Sequence, residues 1–356
     1  MKAGIIGLPQ TGKKTLFRIL TQTDAEVRQK GSKPVPGTAD ILDSRFDTLV
    51  DLYQPKKNVH ARIDLVLLPA LEQESIAGGE IFRDIADLHA ICHVVRCFKD
   101  DSIYHPAGSV DPVRDVESVN SELVMHDQIF VEKRIERIKE LAKKKKDADQ
   151  EKELALLEKM KTHLEDEQPL RLMTLSEDED MIIRSYPFIT RKEMILAFNV
   201  SEDELETATL PDGIEELCRR DKMEAMIVSA AVEDEIASLD TQEEKDEFLQ
   251  ELGIKETALE NLTRLCLRAL GLISFFTVGE DEVRQWLVRE NSKAPRAAGV
   301  IHSDLERGFI RAEVMTYDEL MEYKTEAALK KAGKMRLEGK DYTVSDGDIL
   351  NIRFKV

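Results

Sequence analysis

Gly7-Leu8-Pro9-Gln10-Thr11-Gly12-Lys13 has the G-x-x-x-x-G-K spacing of a phosphate-binding loop. The glycines let backbone N–H groups turn inward on an anion. The helix N-terminus behind them adds partial positive charge, and Lys13 reaches the terminal phosphates. The nucleotide contacts of such a loop fall on Gln10, Thr11, Gly12, Lys13, Lys14 and Thr15. One position breaks the pattern: Lys14 stands where Ser or Thr would ligate Mg²⁺. A Gly/Pro turn that binds nothing is the competing reading of the same residues.

The elements around the loop suit it. Residues 3–6 form a short apolar run that reads as a buried strand. Leu16, Ile19 and Leu20 then repeat at helical spacing. Further strand-like runs at 64–68, 90–97, 194–199 and 225–228 alternate with helical patterns, which predicts a parallel sheet covered by helices, an α/β fold.

Residues 121–167 interrupt that alternation with a Glu-, Lys- and Leu-rich stretch lacking Gly and Pro. Val124, Gln128, Val131, Ile135, Ile138 and Ala142 step along one seam, and Leu157, Met160 and Leu164 continue it. An antiparallel helical hairpin joined near 147–150 is expected. Its basic residues are Lys133, Arg134, Arg137, Lys139 and the run Lys143, Lys144, Lys145, Lys146. They read either as a solvated coiled-coil face or as a contact for RNA or another polyanion.

The last eighty or so residues change character again. Strand patterns at 272–277, 286–288, 308–314 and 349–354 surround helical text at 317–333, which suggests a small α+β module.

The chain has 356 residues, enough for two or three domains, and a net charge of −19. Such a surface does not attract nucleic acid as a whole, so any RNA contact must be local. Cys92, Cys97, Cys218 and Cys266 have no metal-type spacing and read as reduced thiols of a cytoplasmic protein. No apolar run approaches the length of a membrane span.

The sequence resembles the Obg-like ATPases, the YchF family, nearly end to end. The resemblance rests on the loop from Gly7 to Phe17, on His93-Val94-Val95-Arg96-Cys97-Phe98, and on Asn199-Val200-Ser201-Glu202 with Ser229-Ala230. It is most specific in Ala298-Gly299-Val300-Ile301-His302-Ser303-Asp304, Gly308-Phe309-Ile310-Arg311-Ala312, Ala332-Gly333-Lys334-Met335-Arg336 and Glu338-Gly339-Lys340-Asp341-Tyr342. It implies a Ras-like P-loop NTPase sheet, an inserted helical hairpin and a C-terminal β-grasp (TGS) module. The corresponding domain bounds are 1–118 and 171–275 for the P-loop domain, 119–170 for the hairpin and 276–356 for the TGS domain. ATP or ADP as ligand and association with the ribosome through hairpin and TGS domain are implied as well, and a monomer is expected.

Asn199, Val200, Glu202, Ser229 and Ala230 fall where the family reads the base. A guanine-reading loop ends in Asp, whose carboxylate accepts from guanine N1–H and the amino group. With that aspartate replaced by Glu202 and Val200 against the ring, the guanine-specific pair is lost.

The chain also departs from its family. The family's Asp-Ile-Ala-Gly after the switch strand is here Leu67-Leu68-Pro69-Ala70, so the Asp and Gly of the third motif are gone. Gly31 occupies the place of the first-switch Thr, with Ser32 one position off. Three metal-associated groups are lost together, which fits a site that no longer demands Mg²⁺. Lys14 then either places its ammonium where the metal sat or points to solvent. The expected protein is a nucleotide-binding regulator with weak or absent hydrolysis and no catalytic residue of its own. A rearranged site using Thr15 or Glu72, or a scaffold that binds no nucleotide, are the alternatives.

Overall fold

The computed structural model describes residues 1–24, 33–72, 79–143, 147–254 and 256–355. In chain order its strands are β1 (Lys2–Ile6), β2 (Val35–Asp40), β3 (Lys57–Val59), β4 (Arg62–Leu67), β5 (Ala90–Arg96), β6 (Glu193–Asn199), β7 (Met223–Val228), β8 (Leu272–Thr277), β9 (Glu282–Arg289), β10 (Phe309–Thr316), β11 (Arg336–Glu338) and β12 (Asp348–Phe354). They form two six-stranded sheets. The chain divides into two compact units, 1–38 with 64–258, and 39–63 with 259–356.

The first sheet runs β2-β4-β1-β5-β6-β7. The β1–β4, β1–β5, β5–β6 and β6–β7 pairs are all parallel. The expected parallel sheet is therefore present, with β1 in its interior. The chain leaves β1 to one side for β4 and returns past it to β5. This reversal of strand order opens a crevice at the carboxyl ends of the strands, where ligands of such sheets bind. β5 is buried along its whole length, and β6 at all but its first residue. That is why both read as continuous apolar runs rather than alternating ones. β2 carries Pro36 and Gly37 and gives no such signal; its place at a sheet edge tolerates both.

The interruption is a pair of helices, Pro112–Ala142 and Ala148–Glu165. The first begins earlier than the seam suggests, with Asp111 accepting from Arg114 N and Pro112 opening the helix. Asp147 caps the second through Asp149 N. Val124, Val131, Ile135 and Ile138 pack with Leu157, Met160 and Leu164 in one apolar core, so most of the seam is buried. Gln128 and Ala142 are only half-buried.

The second unit is a mixed sheet, β11-β10-β12-β8-β9-β3. β10–β12 and β8–β9 are antiparallel, whereas β12–β8 and β3–β9 are parallel. Ala294, Ala297 and Ala298 of the helix Ala294–Ile301 pack on one face with Phe275, Val314 and Leu350. Phe46 and Leu49, from the helix Ser44–Tyr53, cover the other face beside Phe276 and Ile349. Arg45 fastens that helix, pairing with Asp43 at 2.8 Å and with Asp346 at 2.6 Å. The helical text at 317–333 is two helices, Tyr317–Tyr323 and Glu326–Lys331, because Lys324 adopts a left-handed turn between them.

Candidate functional site

The loop after β1 turns at Gln10 (φ 59°) and Gly12 (φ 85°) before the helix Lys13–Thr21 begins. Both glycines of the motif are required by space as well as by conformation. A Cβ on Gly7 would lie 2.6 Å from the Val94 carbonyl oxygen, and one on Gly12 would lie 2.3 Å from Asn199 Nδ2. No side chain caps the helix and its first turn carries no acidic residue, so its N-terminal amides stay available to an anion.

Lys13 is folded back over the loop. Its Nζ donates to the Gly7 carbonyl at 3.1 Å and to the Leu8 carbonyl at 3.0 Å. Burial, helped by the Lys14 charge and opposed by Glu72, brings the ammonium down to about 8. An anionic ligand would favour its charged form. The Gly7 carbonyl also accepts from Leu71 N at 3.1 Å, which ties the segment after β4 to the start of the loop. Thr11 is buried and its hydroxyl donates to the Leu8 carbonyl at 3.3 Å. Thr15 is half-buried and Lys14 is exposed on the first helical turn.

Asn199 ends β6 and joins three segments. Its Nδ2 donates to the Thr11 carbonyl at 3.0 Å, and its Oδ1 accepts from Ala230 N at 2.9 Å. Ser229 caps the helix Ala230–Ser238 by accepting from Val232 N. Val200 is buried, with its N–H on the Val228 carbonyl, and Glu202 is exposed at the start of the short helix Glu202–Leu205. The structure thus brings 10–15, 199–200 and 229–230 together at the carboxyl edge of the sheet.

Sequence reasoning assigned no role to Arg96, yet it organises the next loop. Its guanidinium is buried, donates to the carbonyls of Phe98, Asp100, Ile103 and Tyr104, and lies 4.6 Å from the centre of the Phe98 ring. Phe98 N in turn donates to the Asn199 carbonyl at 3.2 Å, so an aromatic ring is anchored beside that asparagine. Further along, Ala107 N donates to His105 Nδ1, which leaves Nε2–H to donate to buried Asp115 at 2.9 Å. The motif block around His93 to Phe98 marks the place, but nothing in the spacing says that an arginine would be spent on carbonyls.

The residues present do not fit a magnesium shell of the usual kind. Leu67, at the position of the metal-associated Asp, is apolar and fully buried, and Lys14 brings a positive charge where a hydroxyl would ligate. Among the described residues no group of three or more His, Cys, Asp or Glu side chains is placed to hold a metal. Gly31, Ser32 and most of the loop after Glu72 lie outside the described residues.

Comparison with known proteins decides the family. The chain is 41% identical to the ribosome-binding ATPase YchF of Bacillus subtilis over 367 residues, covering 100% of both chains. It belongs to the YchF family. The ribosome-binding ATPase YchF of Escherichia coli O157:H7 is 39% identical over 362 residues, covering 100% of this chain and 99% of that one. The YchF GTPase structure from Schizosaccharomyces pombe superposes with a TM-score of 0.82 at 32% identity, covering 99% of this chain and 97% of that one. A C-terminal YchF-GTPase family model, described as "Protein of unknown function (DUF933)", matches residues 272–355. YchF membership accounts for the P-loop sheet and the C-terminal domain alike. No helix among the described residues is long and apolar enough to cross a membrane.

The hairpin's basic residues are less free than their sequence suggests. Arg134 pairs with Glu153 at 2.6 Å and Lys139 with Glu158 at 2.7 Å, both across to the second helix. Lys133, Arg137 and Lys143 are exposed, while Lys144, Lys145 and Lys146 lie outside the described residues.

Behind the loop, His93 of β5 is fully buried with neither ring nitrogen hydrogen-bonded. Burial, reinforced by the Lys13 charge, pushes it down to about 3. It stays neutral in the folded chain while the unfolded chain takes up a proton below its ordinary range near 6.5. Its lowered value therefore costs stability progressively as pH falls from about 6.5 toward 3. His93→Leu is expected to move the acid-unfolding midpoint of the P-loop unit down by roughly half a pH unit or more, read by circular dichroism against pH. A midpoint that stays put or rises would contradict this.

Proposed function

We propose that this chain is an adenine-nucleotide-binding regulator that acts at the ribosome, with ATP hydrolysis weak or lost. The observation that carries the reading is a pairing at one edge of the sheet. The phosphate loop keeps its glycines, its lysine and its uncapped helix, while the neighbouring Leu67 is sealed in the core. Binding of the triphosphate falls to the loop amides and Lys13. Asn199 and Ala230, with Val200 beneath, shape the base end. Phosphoryl transfer depends on electrostatic stabilisation and a positioned water. An apolar Leu67 supplies neither.

Calorimetric titration with ATP and ADP, each with and without Mg²⁺, tests this. The expected result is micromolar-range binding that barely changes with Mg²⁺, and turnover roughly below one per minute. Mg²⁺-dependent turnover that Lys13→Ala abolishes would favour a rearranged active site. Glu72 motivates that second reading, since its charge acts on Lys13. No nucleotide binding in any condition would leave the domain as a scaffold.

The relatives named ribosome-binding ATPases support a ribosomal partner. We assign the contact to the hairpin, 119–170, and to a TGS domain, 276–356, attached to a P-loop domain of 1–118 and 171–275, in a monomeric cytoplasmic protein. Because the hairpin shaft neutralises Arg134 and Lys139 internally, the contact falls to the tip. Changing Lys143, Lys144, Lys145 and Lys146 together to Glu is expected to cut co-sedimentation with ribosomes at low salt by about tenfold or more. Unchanged pelleting would remove the tip from the interface.

A further inference from the structure

We propose that the bare corner of the second sheet, where β10, β11 and β12 run past their apolar cover, docks single-stranded RNA. Arg311, Arg353 and Lys340 hold its phosphates, and Leu337 and Phe354 receive its bases. This rests on the ribosomal reading above and gives that contact a place and a chemistry.

Strand register builds the surface. The directly opposed pairs on β10 and β12 are Met315 with Ile349, Glu313 with Asn351 and Arg311 with Arg353. On the outer strand β11, Leu337 stands opposite Glu313. Opposed residues, and every second residue along a strand, share one face of a sheet. The helix Ser44–Tyr53 packs Phe46 and Leu49 into a core with Met315 and Ile349. One pair further on that cover ends. Asn351, Leu337, Arg311 and Arg353 are exposed, and Glu313 is half-buried. Ile310, at a bulge in β10, and Phe354, the last residue of β12, lie at the same end. Ile310, Leu337 and Phe354 are 51%, 48% and 48% exposed.

The pairing calls for an anion. Arg311 directly opposite Arg353 sets like charges together, which costs stability unless something negative lies between them. Arg353 pairs with Glu313, which also accepts from Asn351 Nδ2 at 3.0 Å. Among the described residues no ion pair or hydrogen bond engages the Arg311 side chain. Exposed Lys340 lies two residues beyond the Glu338–Ala312 pair, and exposed Lys355 follows Phe354. Charge on an outer strand also deters unwanted strand pairing, but that defence gains nothing from bare apolar side chains beside it. Guanidinium groups interleaved with an aromatic ring and a leucine suit phosphates joined to unstacked bases. A duplex hides its bases from such a surface.

The charge of the whole chain points the same way. Residues 39–63 with 259–356 carry 20 acidic and 20 basic residues, so the net charge of −19 falls entirely on the other unit. RNA meets the least repulsion here.

The full chain is titrated against a fluorescein-labelled single-stranded RNA of about twelve nucleotides, read by anisotropy at about 50 and 200 mM salt. The expected result is micromolar-range binding at the lower salt. It should weaken at least about fivefold in Arg311→Gln and in Phe354→Ala, and persist when Lys143, Lys144, Lys145 and Lys146 are changed to Glu. Arg311→Gln should also make the salt dependence shallower by about 0.7 in slope, whereas Phe354→Ala should leave the slope alone. Both side chains are exposed, and thermal unfolding of each variant checks that the fold is kept. No RNA binding, binding unchanged in both variants, or equal affinity for an RNA duplex or for inorganic polyphosphate would overturn the proposal. Co-sedimentation separates it from the reading beneath it. RNA binding without ribosome pelleting would sink the ribosomal reading and leave this surface standing. Pelleting that the two variants lose, in a chain that binds no free RNA, would overturn the surface as an RNA site and turn it toward a ribosomal protein.

Discussion

Asn199→Ala is expected to lower ATP affinity by about a hundredfold, with a smaller loss of stability in the P-loop unit. The amide of Asn199 spans two backbone groups for which no other hydrogen bond is found among the described residues. Its Nδ2 satisfies the Thr11 carbonyl in the middle of the phosphate loop, and its Oδ1 satisfies Ala230 N at the start of the next helix. Both are buried contacts, so truncation strands a donor and an acceptor at about 1–3 kcal/mol each. Every 1.4 kcal/mol that appears in binding is about a tenfold change. Most of it should appear there, because the freed loop must be ordered again around the phosphates.

The aspartate variant separates the two halves of the clamp. Asn199→Asp still accepts from Ala230 N but sets a carboxylate against the Thr11 carbonyl, where a donor is needed. Affinity should fall nearly as far as in the alanine variant while the base end stays formed. Fluorescence anisotropy of a labelled ATP, with thermal unfolding alongside, measures both. An alanine variant that binds ATP as well as the parent chain would show that the asparagine does not hold the loop.

The second large effect is structural. Asp127 lies in the first hairpin helix and is completely buried. Its carboxylate accepts from Ile189 N at 3.1 Å, from Thr190 N at 2.8 Å and from the Thr190 hydroxyl at 2.7 Å. Thr190 Oγ1 itself accepts from Leu170 N at 3.1 Å, at the point where the hairpin returns. One carboxylate therefore joins the outgoing helix, the returning chain and the segment that leads into β6.

Asp127→Ala leaves those donors without an acceptor in a site water does not reach. A destabilisation of about 3–5 kcal/mol is expected, which lowers the melting temperature of the P-loop unit by about 10 °C. Asp127→Asn keeps one acceptor oxygen and should lose less. Differential scanning calorimetry, following the transition of that unit, gives the number. A loss under about 1 kcal/mol in the alanine variant would mean the network is dispensable.

What could be read from the linear chain was chemistry carried by neighbours in sequence. Gly12 and Lys13 announce a phosphate loop because the turn they need is local, and its helix follows at once. Lys14 and Leu67 are legible as departures from the family's metal-ligand pattern because a residue's identity decides whether it can ligate. The hairpin seam was legible because packing of two helices repeats at a fixed interval. Tertiary structure alone decided the rest. Asn199 became a clamp on a carbonyl 188 positions away, and Glu153 and Glu158 neutralised arginine and lysine on the facing helix. Residues 39–63 joined a sheet made mostly from the far end of the chain. Arg171 put Nε on the Asp221 carbonyl and kept Nη2 enclosed without an acceptor. Each of these depends on which groups meet across long loops. Periodicity and residue type carry no information about that, since the energy lies in the pairing and not in either partner.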